Sequence, residues 1–419
     1  MRIIFIAFLL VRISLFAQTE VVKELNSIII PISDDTNAFS IPEDLRISLA
    51  NKQIVGLGEA THGTKEFFIF KHNMIKYLVT ELNYKVFIIE GGFSGSTKMN
   101  DYICNNTGDI NTALIGVGIA AWMRTEFVET IEFLKEYNSS KTEENKVRFY
   151  GADMQASYPI IESIKSKLSQ IDSTNTDIQN ELDSVKLIFK KTRRSNISKQ
   201  ENEYILAIIN NVTKVFSETD ICTNINNYCL TVLKQTLEYH TIKGSRTRAK
   251  LRNKYMAENS LWIYNNENKR KAIIWAHNAH LSKKESNQHL YPQGQHIAEA
   301  MGDKYFLFGL AFNSGEINGG YNKYKKEYIY NTVPPAKKGS YDNVFSQCKT
   351  DNFILYFNRV DKNSELYKFL NTNNYSYQLS SYASNSQKGA YCKHNITKSY
   401  DALVFFKKSH ASTNMHKKQ

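Results

Sequence analysis

Glu59 and His62 stand three residues apart in the stretch GLGEATHGTKEF, Gly56 to Phe67. A carboxylate beside an imidazole fixes its tautomer and makes it more basic. An imidazole so held suits a general base that takes a proton from water. A second stretch, WAHNAHLSK from Trp275 to Lys283, carries His277 and His280. These two are also three apart, so both point one way if a helical turn begins there. Further polar groups follow other apolar runs: Glu90 after KVFII, and Asp153 and then Gln155 in VRFYGADMQ. Asn278 lies between the two histidines of the second stretch.

The elements that position these residues alternate. Gln53–Gly58, Lys85–Glu90 and Lys146–Tyr150 are apolar runs of strand length. Between them, Thr64–Leu82 and Thr125–Tyr137 carry apolar residues at helical spacing. That order predicts an α/β fold, a three-layer arrangement with a mostly parallel sheet flanked by helices. From about Pro159 to Asn265 the strand signals stop. Ile160–Ile171, Ile178–Lys191, Glu201–Phe216 and Thr231–Tyr264 read as amphipathic helices. Lys271–Ala276, Tyr305–Phe312, Phe353–Phe357 and Ala402–Phe406 resume the strands. The expected organisation is residues 18–158 and 266–419 as two parts of one α/β domain, with 159–265 inserted as a helical lid. Four strands end in ionisable groups, and in open α/β sheets the ligand crevice lies beyond those ends.

Other chemistries fit less well. No G-x-S-x-G elbow is present, so Ser94, Ser96 and Ser157 are nucleophiles by type only. The turn at Gly56, Gly58 and Gly63 matches neither G-x-G-x-x-G nor a P-loop. The five cysteines, Cys104, Cys222, Cys229, Cys348 and Cys392, are odd in number and contain no C-x-x-C, which indicates neither a zinc ribbon nor a thioredoxin site. A bridge between Cys222 and Cys229 would need a turn between them. The formal net charge is +12, from 53 Lys and Arg against 41 Asp and Glu. The basic residues are scattered, with no arginine-rich stripe, so nucleic acid is not an expected partner. The composition of 42% hydrophobic and 22% charged residues suits a packed globular protein.

Met1–Ala17 is a basic start followed by nine apolar residues, Ile3 to Val11, and a short second run. It is too short to span a bilayer and reads as a secretory signal peptide cut after Ala17. The expected protein is exported, periplasmic or secreted, without stable membrane insertion.

GEATHGTKEFF (Gly58–Phe68), VFIIE (Val86–Glu90), W-x-x-T-E (Trp122–Glu126), FYGADMQ (Phe149–Gln155), MAEN (Met256–Asn259) and WAHNAH (Trp275–His280) together resemble the erythromycin esterase family. The resemblance implies hydrolysis of a macrolide lactone without a serine nucleophile, a cofactor or a metal, and hence macrolide resistance. His62 maps to the general base, Glu59 to its companion, Glu90 to the strand-end acid, and His277 and His280 to the paired histidines. Arg252, Lys71, Trp122, Asp153, Gln155 and Asn278 are the expected substrate contacts. Two positions depart from the family's pattern. Arg252 is followed by Asn253 where Arg-Asp is common, and Lys71 stands nearest to a usual arginine.

On this reading His62 activates water against the ester carbonyl. Arg252 or one of His277 and His280 stabilises the oxyanion. Glu90 holds a histidine or the cationic amino sugar of a small-molecule substrate. Two alternatives use other chemistry. Glu59, His62, Glu90, His277 and His280 as zinc ligands would give a metal-dependent hydrolase of another substrate. The basic charge alone would suit an exported, non-enzymatic protein linked to surface polysaccharide.

Overall fold

The computed structural model describes residues 18–32, 39–172, 176–192, 196–219, 223–286, 290–322, 327–379 and 390–415. The expected leader and Cys222 lie outside them. Among the described residues the strands are β1 (Ile30–Pro31), β2 (Ile54–Leu57), β3 (Val86–Gly92), β4 (Arg148–Asp153), β5 (Ala272–Trp275), β6 (Tyr305–Asn322), β7 (Glu327–Val333), β8 (Asn352–Tyr356), β9 (Asn374–Tyr377), β10 (Tyr391–His394) and β11 (Ala402–Ser409). Chain contacts divide the protein into two compact units. One comprises the residues up to Asn83, Arg124–Thr130 and Trp275 onward; the other is Tyr84–Met123 with Ile131–Ile274.

The first unit is built on β6. Strands β2 and β11 flank it in parallel, with Ile54 opposite Tyr305 and Ala402 opposite Phe308. Then β8 runs antiparallel to β11, and β1 antiparallel to β8. The sheet is therefore mixed, with its antiparallel strands toward that edge. Beyond Phe312, β6 continues into a hairpin with β7. Strands β9 and β10 form a separate antiparallel ribbon. All four residues of β2 are buried. The helix Lys65–Glu81 buries Phe67, Phe68, Phe70, Met74, Ile75, Leu78 and Val79. Phe67 meets Phe312 and Phe406, and Phe70 meets Phe308, at centroid distances of 5.9–6.2 Å. Burial of each such side chain contributes about 1.5–3 kcal/mol. One residue of that buried face is a lysine, Lys71.

The second unit carries β5, β3 and β4 in that order, with β3 parallel to β4. Helices Thr97–Asn105 and Ile110–Val117, which the sequence pattern left unmarked, follow β3. Five helices occupy Ser157–Ile171, Thr176–Lys191, Lys199–Ser217, Asn224–Thr241 and Ser245–Asn266. The single helix expected over Thr231–Tyr264 is two. Gly244 breaks it with φ +92°, a conformation that costs a side-chain-bearing residue and not glycine. Capping boxes at Ser198 with Glu201 and at Thr223 with Asn226 start two of the five. Among the described residues no helix is long and apolar enough to cross a membrane.

Candidate active site

The turn between β2 and the helix Lys65–Glu81 holds Glu59 and His62. Its carbonyls are taken by distant backbone. Glu59 O accepts from Asn278 N–H at 2.8 Å and Ala60 O from Leu379 N–H at 2.7 Å. Gly63 O accepts from both Asn318 and Ser412 N–H at 2.9 Å. Such close approach needs glycine. A Cβ on Gly63 would lie 2.1 Å from Asn318 O, and one on Gly58 would lie 2.2 Å from Asn278 Oδ1. The turn is thus held by backbone hydrogen bonds and close glycine approaches.

Glu59 is wholly buried and fully engaged. Its Oε1 pairs with His62 Nδ1. Its Oε2 accepts from Lys71 Nζ at 2.5 Å and from Trp275 Nε1 at 3.0 Å. Lys71, also wholly buried, places its ammonium 4.4 Å from the Trp275 ring centroid. Burial disfavours the Glu59 carboxylate, but the Lys71 ammonium and the His62 imidazole outweigh it and hold the acid down to about 2. Glu59 is therefore ionised at neutral pH and accepts the Nδ1 proton of His62. In a neutral imidazole the basic lone pair then sits on Nε2. His62 is 8% exposed, enough for a small part of its ring to meet solvent.

His277 lies edge to face with His62, their ring centroids 5.2 Å apart. It is the N-cap of the short helix Asn278–Leu281, its Nδ1 accepting from Ala279 N–H at 3.1 Å. Its Nε2 donates to Leu379 O at 3.0 Å. Those two bonds define a neutral imidazole with the proton on Nε2. His280 follows on the helix that His277 caps and is half-buried. Asn278 faces inward: its Nδ2 donates to Leu310 O at 2.9 Å and its Oδ1 accepts from Leu310 N–H at 3.4 Å.

The second unit gathers Glu90, Asp153 and Arg252. Arg252 Nη2 donates to Asp153 Oδ2 at 2.6 Å and to Glu90 Oε1 at 2.9 Å, and Nε adds a bond to Asp153 Oδ2 at 3.1 Å. Burial opposes the guanidinium charge, but Asp153 and Glu90 reverse that and raise its pKa. Asp153 Oδ1 accepts from Gln155 N–H, and Gln155 Nε2 donates to Tyr239 Oη. Trp122 is buried, and its Nε1 donates to the backbone carbonyl of Glu90 at 2.8 Å.

Three of the expected substrate contacts thus face protein, Trp122 among them. Lys71 is enclosed against Glu59, and Asn278 braces the backbone of β6. Trp275 carries no sequence signal for this contact because it ends an apolar strand, and Leu379 carries none because only its peptide group takes part. Of the donors proposed for zinc, Glu59 has its oxygens held by an imidazole, an ammonium and an indole. Among the described residues no group of three or more His, Cys, Asp or Glu side chains is placed to hold a metal ion. Cys104, Cys229, Cys348 and Cys392 are buried free thiols.

The family model for erythromycin esterase matches residues 79–409. The chain is 24% identical over 355 residues to erythromycin esterase type II of Escherichia coli, covering 75% of this chain and 83% of that protein. In fold it is similar to a succinoglycan biosynthesis protein, with TM-score 0.82, 19% identity, and 95% and 99% of the two chains covered. It is also similar to a mutant of the erythromycin esterase EreC in its open conformation, with TM-score 0.63, 14% identity, and 88% and 93% covered. With most of its length matched by that model, the chain belongs to the erythromycin esterase family.

Proposed function

We propose that this protein is a carboxylic ester hydrolase that opens the lactone of a macrolide with water, with His62 as general base. The Glu59–His62 pair carries the reading: a buried carboxylate, held ionised, accepts from Nδ1 and so makes Nε2 the basic nitrogen of a neutral ring. The relative from Escherichia coli that is named for erythromycin supports the choice of substrate.

In the proposed step, His62 Nε2 takes one proton of a water molecule. The water oxygen attacks the carbonyl carbon, and the tetrahedral oxyanion collapses with cleavage of the ring C–O bond. The departing alkoxide takes a proton and leaves a hydroxy acid. Both nitrogens of His277 are bonded to backbone groups, which favours His280 as the donor of that proton. The imidazolium formed at His62 is stabilised by Glu59, as a general base requires. We further propose that Met1–Ala17 directs export and that turnover protects the producing cell from macrolides.

The test is incubation with erythromycin followed by mass spectrometry for the gain of one water. The same reaction is run after dialysis against chelator, with elemental analysis of the same sample. Turnover by the native protein and its loss in His62→Ala are expected. Hydrolysis by His62→Ala at the native rate rules out the base, and no turnover of erythromycin by the native protein rules out that substrate.

A further inference from the structure

Trp275 closes β5, and its side chain is wholly buried. Phe68 and Phe127 pack against its indole at centroid distances of 5.3 and 5.6 Å, so the ring plane is fixed by its neighbours. That ring does two things to the Glu59 pair. Its face receives the Lys71 ammonium, and its Nε1–H points at Glu59 Oε2, the oxygen that Lys71 also binds.

The two donors differ in kind. An ammonium is a point charge with rotating N–H bonds, so it attracts a carboxylate without setting its plane. An indole N–H is one donor in a fixed direction. An arginine in place of Lys71 would supply two donors from one fork; with lysine, the second donor comes from Trp275. We propose that Trp275 is a positioning residue, whose indole N–H sets the plane of Glu59 so that Oε1 stays on His62 Nδ1. The imidazole is thereby kept in the tautomer that leaves Nε2 to take the proton. This inference rests on the reading of His62 as the base, and it adds a residue that touches neither water nor ester.

Replacing Trp275 by β-(3-benzothienyl)alanine through site-specific incorporation tests it. The analogue keeps the bicyclic outline and puts sulfur where the N–H was. Trp275→Phe is the simpler companion, which loses both the N–H and part of the ring. Melting temperature, kcat and KM on erythromycin across pH, and the low-field Nδ1 proton of His62 in protein carrying 15N-histidine are measured on each. The analogue is expected to keep its melting temperature and KM. Its kcat should fall about tenfold or more, the size of one hydrogen bond to a charged group. The His62 Nδ1 proton signal should weaken or move upfield. A folded analogue with native kcat and an unchanged signal overturns the proposal. So does a loss of rate accompanied by a lower melting temperature and an intact signal, which is a packing effect. If native protein turns over no erythromycin, the functional reading fails on its own. The proton signal then decides alone: its loss in the analogue supports the positioning role, and its persistence refutes it.

Discussion

His62 and His277 meet edge to face, with ring centroids 5.2 Å apart, although one follows β2 and the other follows β5. The contact joins imidazoles in different states of engagement. His62 is bound on its Nδ1 side by a carboxylate, and His277 is bound on both sides by the backbone. A neutral His277 puts no second positive charge beside the proposed base. The two rings therefore have separable roles, and the following predictions separate them.

His277→Ala should cost about 0.5–2 kcal/mol of stability, the range for loss of an N-cap. His277→Asn keeps a capping oxygen and should recover part of that cost. His280→Ala should lower kcat on erythromycin roughly a hundredfold, as expected for removal of a general acid. Urea denaturation and steady-state kinetics on the three variants measure the split.

Glu59→Gln leaves the Lys71 ammonium buried without its carboxylate and should destabilise by about 3–5 kcal/mol. Glu59→Gln combined with Lys71→Met removes both charges and should regain most of that loss without regaining turnover. The pH dependence has a definite sign. Glu59 is more acidic folded than its ordinary value of 4.5, so its contribution is full above that value and fades as pH falls toward about 2. Urea midpoints between pH 2 and 6 should show that slope in the native protein and lack it in the double variant.

Arg252→Met strips the cation from two buried carboxylates and should cost about 3–5 kcal/mol. Arg252→Lys should recover only part, because one ammonium does not reproduce the three guanidinium bonds to Asp153 and Glu90. Chemical denaturation of both variants near neutral pH provides the comparison.

Asp342 gives the opposite pH slope. It is wholly buried, and burial raises its pKa from 3.8 to about 8 despite the hydrogen bond from Tyr377 N–H. Between those values the folded chain keeps a proton that the unfolded chain has released, so stability falls as pH rises. Asp342→Asn should flatten that part of the profile and raise the melting temperature at pH 8 relative to native protein. Calorimetry at pH 4 and pH 8 checks the difference between the two conditions.

Much of this arrangement was legible in the residue order. Apolar runs ending in Glu59, Glu90, Asp153 and His277 announced strands whose ends carry polar groups, and the structure places β2, β3, β4 and β5 accordingly. The pairing of Glu59 with His62 followed from spacing within one turn. Less legible was work done through burial. Lys71 has the composition of a surface residue and sits on the apolar face of its helix, because Glu59 and Trp275 compensate its charge there. Asn278 has the look of a ligand contact and instead satisfies both peptide groups of Leu310. The β6–β7 hairpin is not marked in the sequence because β6 continues past Phe312 through Asn313, Ser314, Gly315 and Glu316, which end the apolar run. The division over Ile242–Gly244 is hard to read because the apolar spacing of the helices on either side continues across a three-residue connection.

Leu379 joins the two histidine-bearing turns through one peptide position. Its N–H reaches Ala60 and its carbonyl receives His277. These two bonds depend on the register of the chain at 379, while the buried leucine side chain packs in the core. A proline there, which lacks the N–H, or one residue added just before it, would unlatch both turns together.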